Sequence, residues 1–123
     1  MSFKYSKSEK LKSKKAIERL FSEGKSVTAY PLRLVYLEHT FDDGIQFKTG
    51  VSVSKRHFKN AVDRNRIKRL IREAYRLNKG DHFNNNLASY ALMILYIGKD
   101  EIEFTSMNNS MNELLGAFVK KVS

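Results

Sequence analysis

The chain has 123 residues, of which 41% are hydrophobic and 29% charged, and Lys and Arg number 23 against 13 Asp and Glu. This composition supports one modest core in a single domain over residues 1–123, and it excludes compositional disorder. The absence of Cys excludes a disulfide scaffold, a thiol nucleophile and a cysteine-bound zinc site. The formal net charge of +10 predicts a polyanionic partner.

No segment is long and apolar enough to predict a membrane anchor. The longest apolar run, residues 90–97, falls well short of the roughly 20 residues that a membrane-spanning helix needs. Lys4, Lys7 and Lys10 follow Met1 with no apolar region behind them, so no secretory signal is predicted. We therefore expect a cytoplasmic protein without a membrane partner.

The amino-terminal part of the chain predicts an extended segment and one helix. Residues 1–12 are polar and are expected to be extended. A helix is predicted over residues 14–23, because Ser13 is a suitable N-cap and Gly24 a suitable stop. Its apolar stripe contains Ile17, Leu20 and Phe21.

Strands are predicted to follow this helix. One covers residues 32–39, and Asp42-Asp43-Gly44 is typical of a hairpin turn that leads into the next. Residues 45–54 alternate in polarity, which predicts a strand with one apolar face and one small, polar face. The apolar face contains Ile45, Phe47, Thr49, Val51 and Val53, and the polar face contains Gln46, Lys48, Gly50, Ser52 and Ser54.

The second half of the chain predicts a long helix, a buried strand and a final helix. The long helix covers about residues 60–78, with Asn60 and Asp63 resembling a capping box and Gly80 as the stop. Residues 89–97 predict the buried strand, and Thr105 is the expected N-cap of the last helix. The residues expected to face the core are Ile67, Leu70, Ile71, Ala74 and Leu77 in the long helix and Met107, Met111, Leu114, Leu115 and Phe118 in the last one.

The predicted order is helix, two or three strands, helix, strand and helix. With three strands this order is α-β-β-β-α-β-α, and it predicts an α+β fold in which a small, mostly antiparallel sheet packs against helices. The aromatic residues of the middle and end of the chain are expected to lie in or near its core rather than to bind a ligand. They are Phe47, Phe58, Tyr75, Phe83, Phe104 and Phe118.

The positive charge is concentrated in one segment of the chain. Residues 55–79 carry ten Lys and Arg but only two acids, Asp63 and Glu73. The helix face opposite the predicted core stripe contains Asn65, Arg69, Arg72 and Arg76. Because a solvated helix face usually mixes charges of both signs, this excess of Arg predicts a phosphate-binding surface.

The same segment resembles a known family. Residues 52–56 and 60–73 are similar to the signature of the bacterial ribonuclease P protein subunit, with Arg64-Asn65-Arg66 followed by Lys-Arg and Arg-Glu pairs at the family's spacing. The residues that also fit the family's amino-terminal pattern are Phe3, Leu11, Phe21 and Gly24. The resemblance extends more weakly over most of the chain.

The resemblance implies both a fold and a function. The fold is a two-layer sandwich with a left-handed crossover, as in the ribosomal S5 domain 2-like fold. The function is that of the protein subunit of a ribonucleoprotein endonuclease that removes the 5′ leader of precursor tRNA. The implied partners are the catalytic RNA and precursor tRNA, with no DNA. The RNA subunit performs the hydrolysis with bound magnesium ions, so no catalytic residue, metal or cofactor is expected in the protein itself.

The resemblance also implies two sets of site residues. The residues expected to dock on the catalytic RNA are Lys55, Arg56, Asn60, Arg64, Asn65, Arg66, Lys68, Arg69 and Arg72. The residues expected to form a cleft for the leader are Ile17, Phe21, Tyr36, Gly50, Ser52 and Ser54. Ile17 stands where relatives often carry an aromatic residue.

Two other functions are compatible with the residues alone. A stand-alone, ribosomal-type protein that binds ribosomal RNA would carry a similar charge. An autonomous basic endonuclease would have to cut with His57 or His82, although the three histidines show no metal-ligand spacing and no Ser-His-Asp arrangement or phosphate-binding glycine loop can be assembled.

Overall fold

The computed structural model describes residues 5–123, so Phe3 of the amino-terminal pattern lies outside the described residues. The elements are α1 (Lys14–Glu23), β1 (Lys25–Ala29), β2 (Leu32–Glu38), β3 (Phe47–Val53), α2 (Ala61–His82), β4 (Tyr90–Tyr96) and α3 (Phe104–Val122), preceded by a short 3-10 helix at Lys7–Glu9. The predicted α+β class and element order are confirmed. Among residues 5–123, no helix combines the length and apolarity needed to cross a membrane.

The four strands form one sheet in the order β1-β2-β4-β3. β2 pairs antiparallel with both β1 and β4, whereas β3 and β4 are parallel, so α2 is the crossover connection between them. The predicted hairpin is wrong, because β4 lies between β2 and β3. Asp42–Gly44 does form a turn, in which Gly44 has a φ of 77° that glycine adopts without strain.

The main core lies between one face of the sheet and the helices α2 and α3. All five residues predicted to face inward from α3 are buried, as are Ile67, Ile71 and Ala74 of α2. Toward the end of α2, the buried face differs from the predicted apolar stripe. Leu77 is exposed there, whereas Tyr75 and Asn78 are buried. Asn78 is satisfied in the core because its amide donates to the Ala74 carbonyl at 2.8 Å and to Asn108 of α3 at 2.6 Å.

The helix ends agree with the sequence where the signal is a local cap. Ser13 accepts a hydrogen bond from the Ala16 amide at 3.2 Å, and Asn60 accepts one from the Val62 amide at 3.0 Å. Two predicted ends are wrong, because α2 continues through Gly80 to His82 and the N-cap of α3 is Glu103 rather than Thr105. The last turn of α2 packs against α3, where His82 Nε2 lies within hydrogen-bond distance, 2.8 Å, of Asn112 Oδ1.

A smaller core lies on the other face of the sheet, under α1. Leu11, Ala16 and Leu20 pack there against Ala91 and Met93 of β4. Gly50 of β3 lies beneath this cluster, and a Cβ at Gly50 would come within 2.8 Å of the Met93 methyl carbon. Because α1 covers only part of this face, the neighbouring row of paired residues is left partly open. That row is Arg33, Leu95 and Ser52.

The amino-terminal segment runs along the outer edge of β3. Lys10 forms an isolated parallel bridge with Thr49, and the Leu11 amide donates to the Thr49 carbonyl at 3.1 Å. The Tyr5 hydroxyl donates to the same carbonyl, and Glu9 pairs with the buried Lys79 of α2. Residues 5–12 therefore combine an extended stretch with the short 3-10 helix, and they attach to both the sheet and α2.

Candidate RNA-binding surfaces

The residues predicted to dock on RNA lie on α2 and in the loop before it, and we call this set the basic surface: Lys55, Arg56, Asn60, Arg64, Asn65, Arg66, Lys68, Arg69 and Arg72. Asn65, Arg69 and Arg72 are exposed, because they lie on the side of α2 opposite the buried Ile67 and Ile71. Lys55 and Arg56 are exposed in the loop that follows β3. The structure thus places these charges together on one side of the molecule.

Most of the cations in the basic surface have no carboxylate partner. Among residues 5–123, no Asp or Glu oxygen lies within 4.0 Å of six of the seven cations. One of the six, Arg64, donates to backbone carbonyls instead. The other five, whose side chains have no hydrogen-bond partner in the described chain, are Lys55, Arg56, Lys68, Arg69 and Arg72. Unpaired guanidinium and ammonium groups at this density repel one another. A phosphate-bearing partner would relieve that repulsion and would receive charge-assisted hydrogen bonds.

Arg64 has a different environment from the other arginines of the motif. Its guanidinium donates to the carbonyls of Phe58 and Lys59, each at 2.8 Å. Phe58 is buried, and its ring packs edge-to-face with Tyr96 at a centroid distance of 5.8 Å. Arg64 therefore holds the loop that carries Lys55 and Arg56 in place. It supports the basic surface through these backbone hydrogen bonds.

Arg66 is paired with two acids. Its guanidinium lies 3.1 Å from a carboxylate oxygen of Glu101, in the loop before α3, and 3.5 Å from Asp63. Asp63, which the sequence predicts as part of a capping box, thus neutralises a neighbouring cation. All three side chains remain partly exposed, so the pairs are screened by solvent and contribute little to folding stability.

Ile17 and Phe21, two of the residues predicted for the cleft, belong to α1 on the side of the smaller core. The opposite flank of α1 carries Glu23, which faces a surface depression shared with Leu37 and Glu38. On the helical wheel, Ile17 and Phe21 lie on the flank of α1 away from Glu23. Ile17 and Leu95 of the open row both pack against the smaller core. Ile17 is half-buried against the smaller core, whereas Phe21 is 52% exposed.

Tyr36 does not belong to this cleft, and its predicted place beside Gly50, Ser52 and Ser54 is wrong. Its register partner is Leu92, which is paired with Thr49, so Tyr36 lies on the face covered by α2 and α3. Tyr36 is 8% exposed, and its ring contacts those of Tyr90 and Phe118 at centroid distances of 6.2 and 5.1 Å.

Val35 lies on the cleft side of the sheet, together with its β2 neighbours Arg33 and Leu37. It pairs with Met93, which in turn pairs with Gly50. Because side chains alternate along a strand, a difference of one position moves a residue to the opposite face. Val35 is absent from the residues predicted for the cleft, since only the cross-strand register of the folded sheet identifies it.

The cleft and the basic surface meet at one end of the sheet. Ser54 follows β3 directly, and its hydroxyl accepts a hydrogen bond from the Arg56 amide at 3.0 Å. Ser52, Ser54 and Arg56 thus form a continuous strip from the open row to the exposed loop. A strand of RNA in the cleft would pass beside the basic surface.

The histidines form no common site. His57 precedes α2 and His82 is its last residue, so a helix of 22 residues separates them. At 1.5 Å per residue, this separation is roughly 30 Å. Within the described part of the chain, no group of three or more His, Asp or Glu side chains is arranged to hold a metal ion.

The half-buried Tyr5 of the amino-terminal segment packs edge-to-face against the buried Tyr75 of α2, at a centroid distance of 5.4 Å. Burial raises the pKa of the Tyr5 hydroxyl to about 12, although the nearby Arg72 opposes this effect. Burial also raises the pKa of Tyr75, which accepts a hydrogen bond from Thr49 at 2.8 Å. Both hydroxyls stay neutral at physiological pH, so they serve packing and hydrogen bonding rather than proton transfer.

The fold and these surfaces define a class of protein: a small, basic α+β domain that presents unpaired arginine and lysine side chains beside an open cleft. Comparison with known proteins identifies the family within this class. The family model described as Ribonuclease P matches residues 5–119. The chain belongs to this ribonuclease P protein family.

Individual relatives agree with this assignment. The ribonuclease P protein component of Porphyromonas gingivalis strain ATCC 33277 is 40% identical over 118 residues, which cover 92% of this chain and 85% of that protein. The corresponding protein of Caldanaerobacter subterraneus is 35% identical over 109 residues, covering 86% of this chain and 85% of the relative. The solved RNase P protein from Staphylococcus aureus is 26% identical, with a TM-score of 0.68 over 95% of this chain and 93% of that one.

Proposed function

We propose that this protein is the protein subunit of a ribonuclease P ribonucleoprotein, which removes the 5′ leader of precursor tRNA in the cytoplasm. In this assembly the RNA subunit performs the hydrolysis with its magnesium ions. The protein contributes binding and holds no metal or cofactor of its own. Its contacts are with the catalytic RNA and with precursor tRNA, and not with DNA or a membrane.

The observation that carries this proposal is the set of five unpaired cations on the basic surface. Three of the five are Arg56, Arg69 and Arg72, and a planar guanidinium binds a phosphate through two parallel hydrogen bonds. Asn65 lies among them, exposed and neutral, and its amide suits a base edge or a ribose hydroxyl. We assign the basic surface to docking on the catalytic RNA.

The cleft is assigned to the leader. Phe21 offers an exposed ring for base stacking, and Ile17, Ser52 and Ser54 supply apolar and small polar contacts around it. Stacking of a base on an aromatic side chain tolerates any sequence, which suits leaders that differ between tRNAs. Tyr36 has no part in this proposal.

Reconstitution tests the proposal. The protein is added to a bacterial ribonuclease P RNA at low magnesium concentration, and cleavage of precursor tRNA is measured. We expect stimulation by the wild-type protein and a large loss of stimulation when Arg69→Ala and Arg72→Ala are combined. The matched control combines Lys120→Ala and Lys121→Ala, which removes two charges at the far end of α3 and leaves stimulation unchanged.

An absence of stimulation by the wild-type protein would overturn the proposal. RNA captured by the protein from a bacterial lysate then identifies the alternative, because a ribosomal-type protein would recover mostly ribosomal RNA. Cleavage by the purified protein in magnesium, without any RNA subunit, would instead identify an autonomous nuclease.

A further inference from the structure

A small depression on the outer side of α2 is lined by Val62, Asn65, Arg66 and Arg69. These residues are spaced i, i+3, i+4 and i+7, so their side chains are neighbours on one helix face. The depression has a volume of about 340 Å³, at the lower end of the range of about 300–1,000 Å³ for ligand pockets. It has room for one nucleoside rather than for a stretch of RNA.

Val62 is the unusual member of this group. It is 63% exposed, although the other β-branched residues of α2, Ile67 and Ile71, are buried. A single exposed apolar residue is ordinary on a protein surface, but this one is surrounded by two guanidinium groups and an amide. Apolar and cationic groups so arranged match a nucleotide, whose base has a flat face, whose ribose carries C–H groups and whose phosphate is anionic.

The polar members of the group are positioned around Val62. The carboxylates of Glu101 and Asp63 both pair with the same nitrogen, Nη1, of the Arg66 guanidinium. Among residues 5–123, neither Asn65 nor Arg69 has a side-chain partner, so their donors are available to a ligand. The Val62 backbone amide is occupied by the Asn60 side chain, which leaves the methyl groups as the only part of Val62 that can contact a ligand.

We propose that Val62 is a further RNA-contacting residue, whose methyl groups pack against the sugar or base of a single unpaired nucleotide of the catalytic RNA. Asn65 hydrogen-bonds that nucleotide, and Arg69 binds the phosphate beside it. This inference rests on the proposed docking of the basic surface on that RNA. It adds an apolar, salt-independent contact to a surface that otherwise binds through charge.

The test compares Val62→Ala with Arg69→Ala in binding to the catalytic RNA over a range of salt concentrations. We expect Val62→Ala to weaken binding by about three- to tenfold, from the loss of two methyl groups, with no change in the slope of log K against log salt. Arg69→Ala should weaken binding and also make that slope shallower by about 0.7–0.9, because one phosphate contact is lost. Since Ala is a better helix former than Val, the Val62→Ala protein should fold at least as well as wild type.

Two further variants test whether the contact of Val62 is apolar, and a third serves as a control. Val62→Thr keeps the β-branched shape but exchanges a methyl for a hydroxyl, and it should bind the RNA more weakly than wild type. Val62→Ile should bind at least as tightly as wild type. Leu77→Ala changes an exposed apolar residue about four turns along the same helix, and it should leave RNA affinity unchanged.

The outcomes separate this inference from the proposed function. If Val62→Ala binds like wild type while Arg69→Ala binds weakly, the Val62 contact is overturned and docking by α2 stands. If neither variant changes binding, both ideas are overturned. A shallower salt slope in Val62→Ala, equal to that of Arg69→Ala, would also overturn the inference, because it would trace the loss to charge.

Discussion

At the scale of single residues, arginines of one motif differ in what they contact. Arg64 donates hydrogen bonds to two backbone carbonyls of the preceding loop, whereas Arg69 and Arg72 extend from the outer side of α2 into solvent. Arg66 is held by two carboxylates. Arginines at neighbouring positions thus differ in role. Arg64 stabilises a loop, Arg66 forms ion pairs, and Arg69 and Arg72 are available to a partner.

This difference predicts opposite effects for two substitutions. Arg64→Ala leaves the carbonyls of Phe58 and Lys59 without their partner, and it should lower the free energy of unfolding by about 1–2 kcal/mol. Arg69→Ala should leave the unfolding free energy unchanged and weaken binding to the catalytic RNA by about 1–2 kcal/mol. Urea unfolding and RNA binding, measured on both variants, check the pair. Equal destabilisation by the two substitutions would contradict this division of roles.

At the scale of elements, the alternation of β2 decides which of its residues can contact RNA. Tyr36 packs under α3 and Val35 faces the side of α1. Phe21, on the exposed flank of α1, is the aromatic residue that the cleft offers. Substitution of Tyr36 should therefore affect folding stability, and substitution of Phe21 should affect binding of the leader.

Tyr36→Ala should lower the free energy of unfolding by about 3–5 kcal/mol, because it removes a buried ring. Phe21→Ala should change the unfolding free energy by less than about 0.5 kcal/mol. In the reconstituted complex, Phe21→Ala should weaken binding of precursor tRNA by about 1–3 kcal/mol and leave mature tRNA unaffected. If Phe21→Ala weakens both tRNAs equally, the leader does not lie against α1.

The attachment of the amino-terminal segment to α2 should depend on pH. Burial by itself raises the pKa of Glu9, but hydrogen bonds from Lys79 and Ser6 outweigh it and leave the pKa below its usual 4.5. A lowered pKa in the folded state means that ionised Glu9 stabilises the fold above pH 4.5, and that this stabilisation is lost as the pH falls through the lowered value.

Glu9→Gln removes this contribution while keeping the shape of the side chain. The wild type should therefore be more stable than Glu9→Gln at pH 7, and the difference should shrink on acidification to about pH 3. Urea unfolding of both proteins at the two pH values measures it. A difference that is the same at both pH values would show that the charge of Glu9 contributes nothing.

At the scale of the whole molecule, the densest group of positive charges lies on α2 and in the loop before it. Asp63, Glu73 and Glu101 neutralise only Arg66 and Arg76 among the described cations of α2 that face outward. The five unpaired cations of the basic surface remain, and together they determine how strongly binding to RNA depends on salt.

The expected slope of log K against log salt is about −4, since each phosphate neutralised contributes about 0.7–0.9. Counting six basic residues from the sequence would give about −4 to −5 by the same rule. Titration of the protein with the catalytic RNA at several salt concentrations measures the slope. A value shallower than about −2 would mean that the basic surface remains solvated when RNA binds.

Features that depend on neighbours along the chain can be predicted from the sequence. The caps at Ser13 and Asn60, the inward stripe of α3 and the exposed row of α2 all follow from residues within one or two helical turns. The motif around Arg64-Asn65-Arg66 likewise identifies the family from residues that are close together in the chain.

Features that depend on distant partners require the folded sheet. β1 has just two buried residues, Val27 and Ala29, so its pairing with β2 gives no clear pattern in the sequence. The insertion of β4 between β2 and β3 removes the predicted hairpin. The cross-strand register then places Tyr36 on the face under α2 and α3, and Val35 on the face under α1. Hydrogen bonds and burial across the sheet act between residues far apart in the chain, and a shift of one position there exchanges Tyr36 for Val35.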